Sequence, residues 1–169
     1  MENLQKLYDD INRWLTFAEA KHVAIVTFVS FILSTFGEHL KLFKQVPGWI
    51  KWIFLCSNIL IIIVAVGSFT PFLNCNSLCR EASYKYFCER HKGNVLFYGA
   101  IFCMSEEGVY EEKLKKVLGK ESFSRIEQEL VNQIKDVSGV ACVKYFLFLV
   151  EMKILIIAFG AFVLMMLRR

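Results

Sequence analysis

The run Trp49–Phe69, WIKWIFLCSNILIIIVAVGSF, decides the class of fold. It carries a single charge, Lys51, near its start. A helix needs about 20 mostly apolar residues to cross the hydrocarbon core of a bilayer. Trp49 and Trp52 stand at its head, where an aromatic belt meets the interface. Two further runs, Val23–Phe36 and Ile154–Leu167, reach a similar length once their flanks are counted. The chain has 169 residues, 56% of them hydrophobic, with 16 Phe and two Pro. Three such segments in so short a chain leave too little polar surface to cover them in water. The expected fold is an all-α membrane protein. It has three transmembrane helices and a small cytoplasmic helical unit. Its first and last helices continue from cytosol into bilayer.

The first apolar run is not read as a signal peptide. Its polar lead contains Glu2, Asp9, Asp10 and Glu19, and EHLKLF follows it where a cleavage site would need small residues. Within that lead, Leu4, Leu7, Ile11, Trp14 and Ala18 recur at helical spacing. Leu7, Ile11 and Trp14 are expected to pack against Phe123, Ile126, Leu130 and Ile134 of the last helix, with Trp14 buried. Pro47-Gly48 marks a turn before the second span, and Pro71 a stop after it. The organisation is an N-terminal arm with two spans over 1–70, a helical sensor unit over 71–143 and a third span over 144–169.

The polar block predicts a short helix around Leu78, Ala82, Lys85 and Phe87 or Cys88. It predicts another after Ser105, with Glu106 and Glu107 in its first turn, Lys113, Lys115 and Lys116 in its last, and Gly119 just beyond. That charge order suits the helix dipole. Ser124 and Glu127 can form a capping box at the head of the last helix. That helix is expected to run unbroken to Leu167, roughly 65 Å. The stretch Asn94–Phe102, NVLFYGAIF, is too short to span and too apolar for a loop. It is expected to tuck between the projecting ends of the first and last helices. Composition also allows a strand, but no partner strand is apparent.

Glu151 and Lys153 are expected to snorkel at the interface, and His22 and His39 to be interface residues. The alternative is that the charges face a pore or a partner chain. The small residues Ala65, Gly67, Ser68, Ala158, Gly160 and Ala161 permit close helix contact, within one chain or between copies. Three spans do not enclose a conducting path, so a homo-oligomer is expected. Lys6, Arg13 and Lys21 of the arm with Arg80, Lys85, Arg90 and Lys92 of the polar block, set against Lys41, Lys44 and Lys51 around the first connection, give the expectation that the N-terminus and polar block lie in the cytosol. Arg168 and Arg169 would then lie outside, against the same rule.

The sequence has no phosphate-binding Gly loop, no GxSxG and no HExxH, and no enzymatic activity is expected. No cofactor and no nucleic-acid partner is expected. Of the six cysteines, Cys56 lies inside the second span, and Cys75, Cys79, Cys88, Cys103 and Cys142 read as free cytosolic thiols. A Cys3His zinc site from Cys75, Cys79, Cys88 and His91 is the less favoured alternative. The run Arg80–Tyr98, REASYKYFCERHKGNVLFY, alternates cations with aromatic rings. Such a cluster suits either a nucleotide, with phosphate on the cations and base on a ring, or a lipid-headgroup fringe.

Three ordered pieces of the chain resemble the Pycsar effector transmembrane family of bacterial antiphage defence. They are FAEAK at Phe17–Lys21; Asn94, Leu96, Phe97, Tyr98, Gly99 and Ile101 followed by Ser105-Glu106-Glu107 and Tyr110; and Gln133-Ile134 with Lys144-Tyr145. Ala100 departs from a position where Asp or His is more usual, and His22 from one where Asn is. The cysteine cluster is not a feature of that pattern. The resemblance implies that a companion cyclase makes cyclic CMP or cyclic UMP when phage are sensed. The effector then binds the nucleotide and impairs the inner membrane, an abortive-infection response. The expected ligand residues are Arg80, Lys85, Arg90 and Lys92 on the cyclic phosphate, Asn94 on the pyrimidine edge and Tyr98 as stacking ring. Leu96 and Ile101 are expected to anchor the stretch in the core. A ligand-independent holin-like or toxin protein, or a structural membrane subunit, is the alternative.

Overall fold

The computed structural model describes residues 1–38, 46–69, 77–88 and 94–168. These form six helices: α1 (Glu2–Glu38), α2 (Gly48–Phe69), α3 (Ser77–Cys88), α4 (Tyr98–Glu106), α5 (Tyr110–Leu118) and α6 (Arg125–Leu167). No strand occurs among the described residues. Three helices, α1, α2 and α6, are long and apolar enough to cross a membrane. The chain divides into two compact units. One comprises Met1–Ala18 and Phe72–Phe146, the other Glu19–Pro71 and Leu147–Arg169. Both α1 and α6 contribute residues to each unit.

The first unit is built around α4. Its residues Tyr98–Met104 are all buried. Leu4, Leu7 and Ile11 of α1, Phe87 of α3, Leu114 of α5, and Val131, Ile134 and Ala141 of α6 complete its core. A helix apolar on every side is stable only when surrounded. That settles NVLFYGAIF: Asn94–Phe97 make a turn and the remainder opens α4. Ile101 is fully buried as expected, but Leu96 is 60% exposed, because the turn directs it away from the core.

The arm of α1 also departs from expectation. Leu4, Leu7, Ile11 and Ala18 are buried, whereas Trp14 is 46% exposed and Ile126 is 64% exposed. Trp14 lies at the rim, its ring 6.0 Å from that of Tyr98. The core is filled by α4 rather than by α1 meeting α6 along their whole length, so the stripe loses its cover at Trp14.

The helix expected after Ser105 is two helices. Glu106 closes α4, and α5 starts at Tyr110 with Glu111 and Glu112 in its first turn. Gly108 sits at φ +73 between them. The N–H of Gly108 bonds to Ser105 O at 3.1 Å and that of Val109 to Met104 O at 2.9 Å. These are the paired bonds of a Schellman stop, which favours glycine in the left-handed position. Gly119, at φ +65, ends α5 the same way: its N–H bonds to Lys116 O and that of Lys120 to Lys115 O. Lys135 reaches Glu111 at 2.8 Å, joining α6 to α5, and that bond holds the Glu111 carboxyl below its ordinary range.

The capping box forms as the sequence indicates. Glu127 Oε2 accepts the Ser124 N–H at 3.0 Å, and Ser124 Oγ accepts the Glu127 N–H at 3.4 Å. From there α6 runs 43 residues without a break, through Gly139.

In the second unit α1, α2 and α6 pack together. Ile25, Val29, Ile61 and Ala158 form one cluster; Ile32, Phe36, Ile50, Phe54, Ala161 and Met165 form another. The pairing of these numbers makes α2 antiparallel to α1 and α6. Trp49, Trp52, Leu60, Ile63, Ile156 and Phe159 are exposed, as lipid-facing side chains of a span should be. Ala65, Ser68, Ala158 and Ala161 are buried, so four of the six small residues are used inside the chain, while Gly160 faces open space. Glu151 corrects the snorkelling expectation. It is 0% exposed and holds His22, also 0% exposed, at 2.8 Å; Lys153 is exposed. A carboxyl group in an apolar helix is stabilised by a hydrogen-bonding partner, and α1 brings His22 to the required position.

Candidate functional site

α3 and α4 form an antiparallel pair. Phe87 lies beside Gly99, Tyr84 beside Phe102 and Arg80 beside Glu106. This pairing sorts the candidate ligand residues. Asn94 and Tyr98 stand at the N-terminal end of α4, which is also the end of α3 that carries Lys85. Arg80 stands at the other end. The length of α4 separates the two by about 12 Å. Arg90 and Lys92 lie outside the described residues, as do Cys75 and His91.

At the first end, Asn94 folds back on its own turn. Its side-chain oxygen accepts the Leu96 N–H at 3.0 Å and its carbonyl the Phe97 N–H at 3.2 Å. This is an Asx turn. The side-chain nitrogen of Asn94 is not used by that turn. Tyr98 follows and is 6% exposed. Its ring meets Phe97 at 4.5 Å, Tyr145 at 5.3 Å, Trp14 at 6.0 Å and Phe87 at 6.2 Å. Cys142 Sγ lies 3.8 Å from its carbonyl oxygen. Burial pushes the Tyr98 phenol and the Cys142 thiol well above their ordinary ranges, so both are neutral. The ring that the sequence proposes for stacking on a base is therefore stacked on protein, and Lys85 of α3 is exposed.

At the second end, Arg80 Nε donates to Glu106 at 2.9 Å, and its Nη2 is paired with the same carboxylate. The guanidinium also lies 5.7 Å from the Phe102 ring centre. Tyr84 donates to Glu107 at 3.4 Å. Arg80, Glu81, Tyr84 and Glu106 line an open groove of about 380 Å³. Two carboxylates against one guanidinium make that groove acidic. An incoming phosphate would have to displace Glu106.

The cysteines correct another expectation. Cys88 and Cys103 form a disulfide with Cα atoms 5.5 Å apart; Cys56, Cys79 and Cys142 are free. The antiparallel course of α3 and α4 brings together two residues 15 apart in sequence, which no local motif announces. Cys88 is thereby removed from the zinc set. Among the described residues no group of His, Cys, Asp or Glu is arranged to hold a metal ion.

Residues the sequence did not single out for a site include Tyr84, Cys103 and the pairing of His22 with Glu151, while Tyr145 entered only through the family resemblance. Tyr84 lies four residues after Arg80, one helical turn away, so its place beside Arg80 was readable. The other partners come from distant helices, and nothing in their own neighbourhoods marks them.

The architecture is that of a membrane protein whose long helices also build a small helical unit. The family model described as Pycsar effector protein domain matches residues 3–168. The chain belongs to the Pycsar effector family. Membership ties it to antiphage defence and, in general terms, to a nucleotide signal made by a companion cyclase. Neither the curated proteins nor the solved structures gave a match.

Proposed function

We propose that the chain is a non-enzymatic effector that binds cyclic CMP or cyclic UMP and then impairs the inner membrane. One observation carries the reading. α1 and α6 each run unbroken through residues of both the compact helical unit and the apolar unit. A ligand that favours one arrangement of these helices over another can thereby act on the membrane segments. No other cofactor takes part. The active form is a homo-oligomer, because three spans do not enclose a path.

The ligand site in this reading is the connector end of the α3–α4 pair, with Lys85, Arg90 and Lys92 for the phosphate and Asn94 for the base edge. Asn94 supports it by having a donor left over from its turn. Tyr98 serves as a stacking ring if the ligand parts it from Tyr145. Arg80, sequestered by Glu106 about 12 Å away, is then outside the contact set. The helical unit faces the cytosol, where a cyclase product is made. The Cys88–Cys103 bond pulls against this, since thiols there are kept reduced, as do Arg168 and Arg169 on the far side. Thiol labelling of intact cells decides the side.

Co-expression with and without a pyrimidine cyclase, read by a membrane-potential dye, tests the function. Depolarisation only with the cyclase supports the reading; depolarisation on expression alone supports a holin-like protein. Calorimetry tests the site. Arg90→Ala and Lys92→Ala should weaken all cyclic nucleotides together, Asn94→Ala should blur pyrimidine against purine, and Arg80→Ala should bind as the parent does. Parent-like binding by all four variants would move the site elsewhere.

A further inference from the structure

His22 and Glu151 are both completely buried within the apolar unit. The His22 Nδ1 lies 2.8 Å from one oxygen of Glu151 and 2.9 Å from the other. The rings of Phe69 and Phe148 lie 6.1 and 6.2 Å from the imidazole, edge-on, and Lys21 lies over the Phe148 ring. The pair thus joins α1 to α6 in an aromatic setting that excludes water.

The other contacts joining α1 to α6 in that cluster are apolar: Ile25, Val29 and Ala158. Apolar contacts gain nothing from water when they part. A buried polar pair behaves differently. Parted without water, each member loses its partner in a poorly polar medium and the arrangement is strongly disfavoured. Parted with water, both members are hydrated at once. The pair therefore resists a dry opening and admits a wet one.

We propose that His22–Glu151 is the latch of the membrane response. At rest it holds α1 to α6; in the active state it parts and water enters between the two helices there. The inference rests on the proposed function for its trigger, but its resting role is independent of any nucleotide.

The test uses the purified full chain in vesicles of phosphatidylethanolamine and phosphatidylglycerol loaded with carboxyfluorescein, with and without cyclic CMP or cyclic UMP. Without nucleotide, His22→Ala and Glu151→Ala should each release dye about tenfold faster than the parent, a coupling of ordinary allosteric size. The double variant His22→Leu with Glu151→Leu leaves neither group unpaired. It should be as tight as the parent without nucleotide. It should stay tight when nucleotide is added, although calorimetry shows binding like the parent's. A pair that is only structural would leave the double variant responsive. The latch is overturned if single variants with parent-like helical circular dichroism and detergent elution are as quiet as the parent, or if the double variant leaks with nucleotide as the parent does. If the single variants do not fold, the double variant decides. A parent that leaks with neither nucleotide refutes the proposed trigger, and the nucleotide-free comparison then decides the latch alone.

Discussion

The Tyr98 ring stacks on that of Tyr145, 5.3 Å between centres and 23° between planes. One residue of α4 is thereby fastened to α6, and the same ring is flanked by Trp14 of α1 and Phe87 of α3.

Tyr98→Ala should consequently cost about 3–5 kcal/mol, as for other buried aromatics. Trp14→Ala, at the exposed rim of the same cluster, should cost about 1–2 kcal/mol, in proportion to the smaller area it buries. Denaturant unfolding in mild detergent, followed by circular dichroism, compares the two. Equal losses would mean that the cluster does not distinguish rim from centre.

Gly99 makes a second, opposite test. A Cβ there would lie 2.8 Å from Phe97 Cε1 and 3.3 Å from Phe87 Cδ1. The Phe97 ring would have to turn away, at a typical overpacking cost of about 1–3 kcal/mol. The better helix propensity of alanine offsets about 1 kcal/mol of that. Gly99→Ala should be destabilising by about 1 kcal/mol, and Gly99→Val by more. A stabilised Gly99→Ala in the same unfolding assay would show that the ring yields freely.

Glu127 predicts an acid effect. Lys120, the Ser124 N–H and the Ser124 hydroxyl, in that leading order, hold its carboxyl at about 2 rather than 4.5. A carboxylate whose pKa is depressed on folding stabilises the fold above its unfolded pKa. That contribution is lost as pH falls from about 4.5 through about 2. The melting temperature of the parent should therefore fall more steeply than that of Glu127→Gln between about pH 5 and about pH 2. Parallel curves would refute the assignment.

Reduction should weaken the helical unit. A disulfide closing a loop of about 15 residues contributes about 3 kcal/mol, by restricting the unfolded chain. Cys103→Ser should lose a similar amount and become insensitive to reductant. Peptide mapping without reduction should recover Cys88 and Cys103 in one cross-linked species.

What the sequence made legible follows the range of each interaction. The three spans, the capping box of Ser124 and Glu127, the stop at Gly119 and the buried centre of NVLFYGAIF depend on neighbours a few residues away. The break at Gly108 was missed because Glu106 and Glu107 suit a first turn, whereas in the structure they close α4 against its dipole; the left-handed backbone at Gly108 sets the stop. Trp14 fitted the apolar stripe by spacing, but its cover depended on where α4 lay. His22 and Glu151 are 129 residues apart, and each alone resembles an interface residue. Of the candidate site residues, Asn94 and Tyr98 stand at one end of α4, whereas Arg80, grouped with them by sequence proximity, stands at the other because α3 runs antiparallel to α4.

The bond between Cys88 and Cys103 also makes a closed covalent ring of the chain between them, residues 88–103. A protease cutting any peptide bond inside that ring would leave one molecule, with α3 and everything before it still tethered to α4 and everything after it. On a denaturing gel the nicked protein would run as intact until reductant is added, then fall into two pieces. The segment from Glu89 to Phe102 can thus be severed without the effector being divided.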